Sequence, residues 1–306
     1  AIFKSWFVDF EPTRAKIIIK QKGGNELAQE LAAQAVICGA ITLHKLAELE
    51  EGLCGIEKEL HPLITKRFPN KGGVDLWQPQ QLAAIAALFP NSLVDSELGD
   101  VPEGWAWSEI GDEVTVVGGG TPSTKNIDFW EGGNIHWTTP KDMSNLADKV
   151  LLETGRKITK AGLAKISSGL LPKETVLMSS RAPVGYLAIA KVPLAINQGY
   201  IAMKCDAELS PEYVVQWAEL VMDEIKQRAS GTTFAEISKK NFKVIPIVVP
   251  NEKVMGEYTK ITSAFYSKIT EGVREINELT DIRDALLPKF LSGELTTATT
   301  EKANHV

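Results

Sequence analysis

The side chains best suited to chemistry in this chain are small, polar or cationic, and they gather in three glycine-containing loops. The first, GGGTPSTKNIDFWEGGNIHWTTPKDM, places Thr121, Ser123 and Lys125 directly behind Gly118, Gly119 and Gly120, with Lys141 further along. Glycines let a backbone approach a ligand closely, and hydroxyls beside an ammonium are phosphate-binding donors. A nucleotide-binding P-loop would need Gly-Lys-Ser/Thr ahead of a helix, and this loop lacks that ending. By itself the segment reads equally well as a flexible turn between strands. His136 has no second histidine near it in sequence, so packing or surface exposure explains it better than catalysis does.

The second loop segment is SSRAPVGYLAIAKVPLAINQGYIAMKC. Arg181 follows an apolar strand and precedes Pro183-Val184-Gly185, which fixes it at a turn. An arginine so placed grips a phosphate or reads guanine through two hydrogen bonds, and the plain alternative is an ion pair that pins the turn. Asn197 and Gln198 precede Gly199; amides read adenine or satisfy turn backbone, the second role being the commoner. The third segment, ASGTTFAEISKKNFKVIPIVVP, carries Gly231, Thr232 and Thr233, then Lys239, Lys240 and Lys243 around Phe242. Lysines at one end of a helix are ordinarily a solvated face. Three such loops together, each with a cation, fit a surface that tracks a phosphate backbone.

Overall charge does not decide the matter. The chain of 306 residues carries a net charge of -6, and between residues 102 and 250 there are 16 Lys+Arg against 17 Asp+Glu. Any affinity for DNA must therefore come from where the charges sit. No paired carboxylates, Cys/His set or metal-ligand spacing stands out, so neither a catalytic centre nor a cofactor is expected. Cys38, Cys54 and Cys205 lie far apart without a CxxC pair, as in a reducing compartment. No apolar run reaches the ~18 residues a membrane span needs, and Lys4, Asp9 and Glu11 interrupt any signal-like segment. The expected location is the cytoplasm.

The elements that would position these loops form an α+β arrangement. Residues 102 to 250 alternate short β-favouring runs (EVTVV, NIHWTT, TVLMSS, GYLAIAKV, GYIAMKC, VIPIVVP) with turns, interrupted by one helical run that opens at Pro211. This mixed domain of short strands and few helices is the candidate recognition domain. Residues 13 to 101 are rich in Ala, Leu, Gln and Glu and read as a helical connector, broken at Gly23-Gly24 and at Pro69 to Gly73. From 251 to 295 the apolar positions Val254, Tyr258, Ile261, Phe265, Ile269, Val273, Ile276, Leu279, Ile282 and Leu286 step by threes and fours. That stripe predicts a long amphipathic, coiled-coil-type helix, capped by Asn251 and ended or kinked at Pro288. Its length favours a partner surface over core packing. Residues 1 to 12 read as the end of another spacer helix, stopping near Pro12, and 296 to 306 as a polar tail. AIFKSWFVDFEP can be laid over ALLPKFLSGEL, so that Ala1, Ile2, Phe3, Trp6 and Phe7 fall on Ala285, Leu286, Leu287, Phe290 and Leu291.

AIFKSWFVDFEP, LFPNSLVDSELGDVPEGW, GGGTPS, WTTPKDM, SSRAPVG with NQGY, GTTFAEIS and LTDIRDALLPKFLSGEL occur in that order over nearly the whole chain. In this the sequence resembles the specificity (S) subunit of type I restriction–modification enzymes. The resemblance implies a non-catalytic subunit that reads double-stranded DNA and positions it for methyltransferase (M) and restriction (R) subunits. It also implies two recognition domains spaced by long helices, whereas only one is present here, at 102 to 250. A fragment, a proteolysed product or a half-length subunit is expected, with a homodimer restoring the second reader. The alternatives are a helical protein–protein adaptor and a nucleotide-dependent enzyme.

Overall fold

The computed structural model describes residues 1–49, 55–67, 79–144, 146–231 and 235–294. Its centre is a five-stranded mixed sheet, in the order Thr115–Gly118, Tyr200–Lys204, Val176–Ser179, Leu187–Ala190, Val150–Leu151. The last two strands run parallel and the other neighbours antiparallel. Both faces are covered, and the period-2 alternation of strands sorts the side chains between them. Val176, Met178, Ile189, Ile201 and Met203 face a core shared with the helices. Leu177, Ala188, Ala190, Tyr200 and Ala202 face a second layer. That layer is a three-stranded sheet, Leu194–Ile196, Ile135–Thr138 and Arg156–Ile158, with a small outer cluster of Trp137, Ile158, Ile166 and Ala195 behind it.

All six β-favouring runs contain strands, but VIPIVVP joins neither sheet. Its strand Pro246–Val249 pairs with Ala106–Glu109 in a separate ribbon. The helical run opening at Pro211 is two helices, Pro211–Leu220 and Met222–Gln227, with Ser210 capping the first through its hydroxyl.

The connector contains the helices Glu11–Gln21, Glu26–Ile37, Leu43–Glu48, Ile56–Arg67 and Pro79–Ala86. Gly23 makes the expected break at φ 79, while the break expected at 69 to 73 lies outside the described residues. Lys16 is buried in this unit, its Nζ donating to Glu30 Oε1 (2.6 Å) and to the Phe89 carbonyl (2.7 Å). Lys16→Ala would strand that carbonyl and carboxylate, a loss of about 2 to 4 kcal/mol. Urea unfolding checks this, and a midpoint equal to that of the unaltered chain would refute it.

The expected stop at Pro12 is corrected, and of the two expectations at Pro288 the helix end is not found. The opening helix is only Ile2–Phe7; Pro12 starts the next helix, Glu11–Gln21, instead of stopping the first. A proline in the first helical turn loses no bond, because its N–H would have had no intrahelical partner. Pro288 does not end the long helix, which runs Glu252–Leu291 before Gly293 adopts φ 75. One missing donor and a ring clash near the end of a 40-residue helix do not outweigh its continuity. Asn251 caps it as expected, accepting from the Val254 N–H at 2.9 Å.

The helix changes environment along its length. Val254, Tyr258 and Ile261 are buried, and Ile269 and Val273 pack on the same core. Phe265, Ile276, Leu279, Ile282 and Leu286 are exposed. At its base sits an aromatic knot: Phe7 meets Tyr213 and Tyr258 with ring centroids 4.9 Å apart in both cases, and Trp6 meets Phe89 at 5.1 Å. Burial pushes the Tyr213 and Tyr258 phenols upward, so both stay protonated donors, and Tyr213 spends its O–H on the Val248 carbonyl (2.6 Å). The opening segment is thus anchored where the helix Pro211–Leu220, the connector and the long helix meet.

Candidate nucleic-acid interface

Strand register brings the candidate loops to one end of the sheets. In the five-stranded sheet Gly118 stands opposite Ile201, and Ser179 opposite Tyr200, so the loops behind Gly118 and Ser179 and the turn before Tyr200 emerge side by side. In the three-stranded sheet Thr138 pairs in parallel with Ile196, which sends Thr139 to Lys141 and Asn197-Gln198 out at the same end.

Backbone hydrogen bonds then sew these loops together. Gly120 N–H donates to Ile196 O (2.9 Å), Asn197 N–H to Thr138 O (3.0 Å), Ser180 N–H to Gly199 O (2.8 Å), and Ile237 N–H to Ser180 O (3.1 Å). Gly119 lies so close to this seam that an added Cβ would sit 2.0 Å from the Ile196 carbonyl oxygen. Above the seam Thr121 Oγ1 donates to Gln198 Oε1 at 2.6 Å. A cavity of about 250 Å³ opens there, lined in part by Gly118, Gly119, Ser180, Gln198, Glu236 and Lys239.

Gln198 and Lys239 therefore share one concavity, and Thr121 is tied to it through its bond to Gln198. Asn197 sits in the seam, its Oδ1 accepting from Gly199 N–H at 2.8 Å, which is the turn-satisfying role of the amide. Arg181 stands on a turn held by the Ser179 hydroxyl, which accepts from Gly185 and Tyr186 N–H and donates to Pro183 O. Its Nη1 lies 3.6 Å from Glu236 Oε2, the ion pair foreseen as the plain alternative. Lys240 is exposed on the helix Lys239–Lys243, and Lys141 on the helix Pro140–Met143, whose proline abuts Gly199. Ser123 and Lys125 are exposed further out on the first loop. Thr232 and Thr233 lie outside the described residues.

Some contributors were not singled out from the sequence. Glu236 is one, because a carboxylate, as in GTTFAEIS, is no phosphate donor. A stack of Trp130, Trp137 and Arg156 is another: the guanidinium carbon lies 3.6 Å from the Trp130 ring centre, and the indoles meet edge-on at 5.0 Å. The two indole N–H groups donate to Ser123 O and Gly120 O, so the stack holds the glycine loop from behind. His136 is partly buried beside Thr154 and Glu153; burial lowers its pKa in spite of the carboxylate, which keeps it neutral near pH 7. Tyr200 Oη pairs with Thr138 Oγ1 (3.0 Å), and burial raises the phenol well above its usual range. Burial likewise pushes the Cys205 thiol up to about 12, far from a reactive thiolate, while Cys54 lies outside the described residues. Among the described residues no group of three or more His, Cys, Asp or Glu is placed to hold a metal ion, and no helix is long and apolar enough to cross a membrane.

Residues 102–281 match the family model described as the type I restriction modification DNA specificity domain. The HindI specificity subunit of Haemophilus influenzae is 28% identical over 303 residues, covering 96% of this chain and 60% of that protein. The MjaIX specificity subunit of Methanocaldococcus jannaschii is 33% identical over 187 residues, covering 60% of this chain and 43% of its own length. The chain thus spans about half the length of the curated relatives it matches. Among solved structures, the HsdS subunit of Thermoanaerobacter tengcongensis aligns over 69% of this chain and 50% of its own, at 21% identity and a TM-score of 0.42.

Proposed function

Since the chain belongs to the type I restriction–modification DNA specificity family, we propose that it reads the sequence of duplex DNA and leaves the chemistry to partner subunits. The observation that carries this reading is the convergence of the Gly118–Gly120 loop, the Asn197–Gly199 turn, Arg181 and the lysine-bearing helices at one end of two sheets. With a net charge of -6, only such a local arrangement supplies the cations that phosphates need.

In this reading Thr121, Ser123, Lys125, Lys141, Thr232, Thr233, Lys239 and Lys240 hold phosphates. Arg181, Asn197 and Gln198 face base edges. The amide oxygens of Asn197 and Gln198 each accept an intramolecular bond already, which orients both amides before DNA arrives. The long helix is the surface for methyltransferase subunits, through which restriction subunits join, and for a second copy that supplies another reader. The setting of such a complex is the cytoplasm.

Binding of duplex DNA across a salt series tests the reading. Affinity is expected to fall steeply as salt rises, and Lys240→Ala is expected to weaken binding to all sequences and lower the log–log slope by about 1. An unchanged slope would remove Lys240 from the contact set. DNA affinity absent at every salt concentration would favour a helical adaptor instead.

A further inference from the structure

Phosphate tracking does not account for Glu236. Its carboxylate lines the same cavity as Lys239 and Gln198, where it would repel a phosphate. Nor is it there chiefly for stability: the Arg181 and Glu236 side chains are 37% and 46% exposed, and ion pairs so exposed contribute little. The backbone beneath both is nevertheless fixed. Glu236 exchanges two 3.0 Å hydrogen bonds with Ser230, and Arg181 is bridged to Glu236 across the strand-like contact that follows Ser180. The result is a donor and an acceptor on held backbone, side by side at 3.6 Å and still open to solvent.

We propose that Arg181 and Glu236 together read one G·C base pair in the major groove, a deepening that rests on the DNA-reading function above. The guanidinium donates to guanine O6 and N7, while the carboxylate accepts from the cytosine N4 amino group. Those acceptors and that donor lie next to one another across a G·C pair, matching the side-by-side order of the two side chains. An A·T pair in the same place keeps the N7 acceptor but sets the adenine N6 amino group against the guanidinium and thymine O4 against the carboxylate, so one arginine contact and the carboxylate contact turn repulsive. Exclusion of the wrong pair is thus built in along with recognition of the right one. Glu236 also keeps phosphates away from this part of the cavity, which reserves Arg181 for the base edge.

Selection from a randomised duplex library, with the full chain, tests this. The unaltered protein is expected to return a motif containing one invariant G·C pair. Glu236→Gln, which keeps the shape, is expected to relax that single position about tenfold or more, because a glutamine amide can also donate to thymine O4. The same change is expected to tighten binding to unrelated DNA, since a negative charge near phosphates is gone. Arg181→Ala should relax the same position and no other. Loss of discrimination together with a gain in general affinity is a pairing that a merely structural ion pair would not produce. Melting temperatures identify a variant that has unfolded, in which case Arg181→Lys, which keeps the charge but not the fork, is expected to relax the same position. A motif unaltered by Glu236→Gln would overturn the base-pair assignment while leaving DNA reading intact. No motif from the unaltered chain would overturn both.

Discussion

Gly119→Ala is expected to unfold at a temperature about 5 to 10 °C lower than the unaltered chain and to lose sequence-selective DNA binding. The methyl carbon would sit 2.0 Å from the Ile196 carbonyl oxygen and 2.4 Å from that of Asn197. Both are backbone atoms held in the seam between the two sheets, so neither can rotate away as a side chain would. Separating them breaks the Gly120–Ile196 and Asn197–Thr138 bonds and moves the loop that carries Thr121. Overpacking against fixed backbone costs about 2 to 4 kcal/mol. The neighbouring glycines serve as internal controls. A Cβ on Gly120 would have no neighbour nearer than 4.0 Å, and one on Gly118 would meet only the end of the Lys239 side chain, at 3.5 Å. Gly120→Ala is therefore expected to melt and bind like the unaltered protein. Thermal unfolding followed by duplex competition reads both effects, and equal behaviour of the two variants would mean that the loops do not meet as described.

That contrast shows how far the sequence alone carries. Three consecutive glycines announce a permissive loop, but only the register of Tyr200–Lys204 on Thr115–Gly118 shows that the middle one is pressed against another turn. Local signals were sound where the physics is local. The Asn251 cap, the Pro211 start and the Gly23 break are decided within a few residues, and the apolar runs are long enough to declare strands. Leu194–Ile196 was not singled out as a strand, because three residues between Pro193 and Asn197 give too short a pattern, and its parallel partner Ile135–Thr138 is distant in sequence. Glu236 escaped for a different reason: its meaning depends on Arg181, 3.6 Å away but distant in sequence, which no spacing rule encodes. The prolines at 12 and 288 do not stop their helices, because a breaker near a helix end or in its first turn removes little. The candidate loops were legible one by one, and their assembly was not.

Lysine substitution at both Leu279 and Ile282 is expected to leave the fold intact and yet abolish assembly through the long helix. A helix of 40 residues is about 60 Å long, beyond the width of a small domain, and its apolar stripe is covered only in its first part. Ile276, Leu279 and Ile282 are 61%, 58% and 54% exposed and belong to no core cluster, so removing them loses little packing within this chain. Surface changes of that kind shift stability by about 0.5 kcal/mol or less. Repeats of three and four residues from Ile269 through Leu286 are the spacing with which one helix packs along another. Each aliphatic side chain buried there contributes about 1.5 to 3 kcal/mol, so two lysines in the seam should weaken association at least ~100-fold. Copurification with methyltransferase subunits, together with sedimentation of the chain alone, reads the effect on either kind of partner. A Tm within a degree or two of the unaltered chain is expected alongside the loss, because the changed positions lie clear of the aromatic knot and the seam. Full retention of the partner, with the same sedimentation as before, would reduce the stripe to a solvated face. The one remaining lever for positioning the reader would then be the anchored base of the helix, where Tyr258 packs against Phe7 and Tyr213.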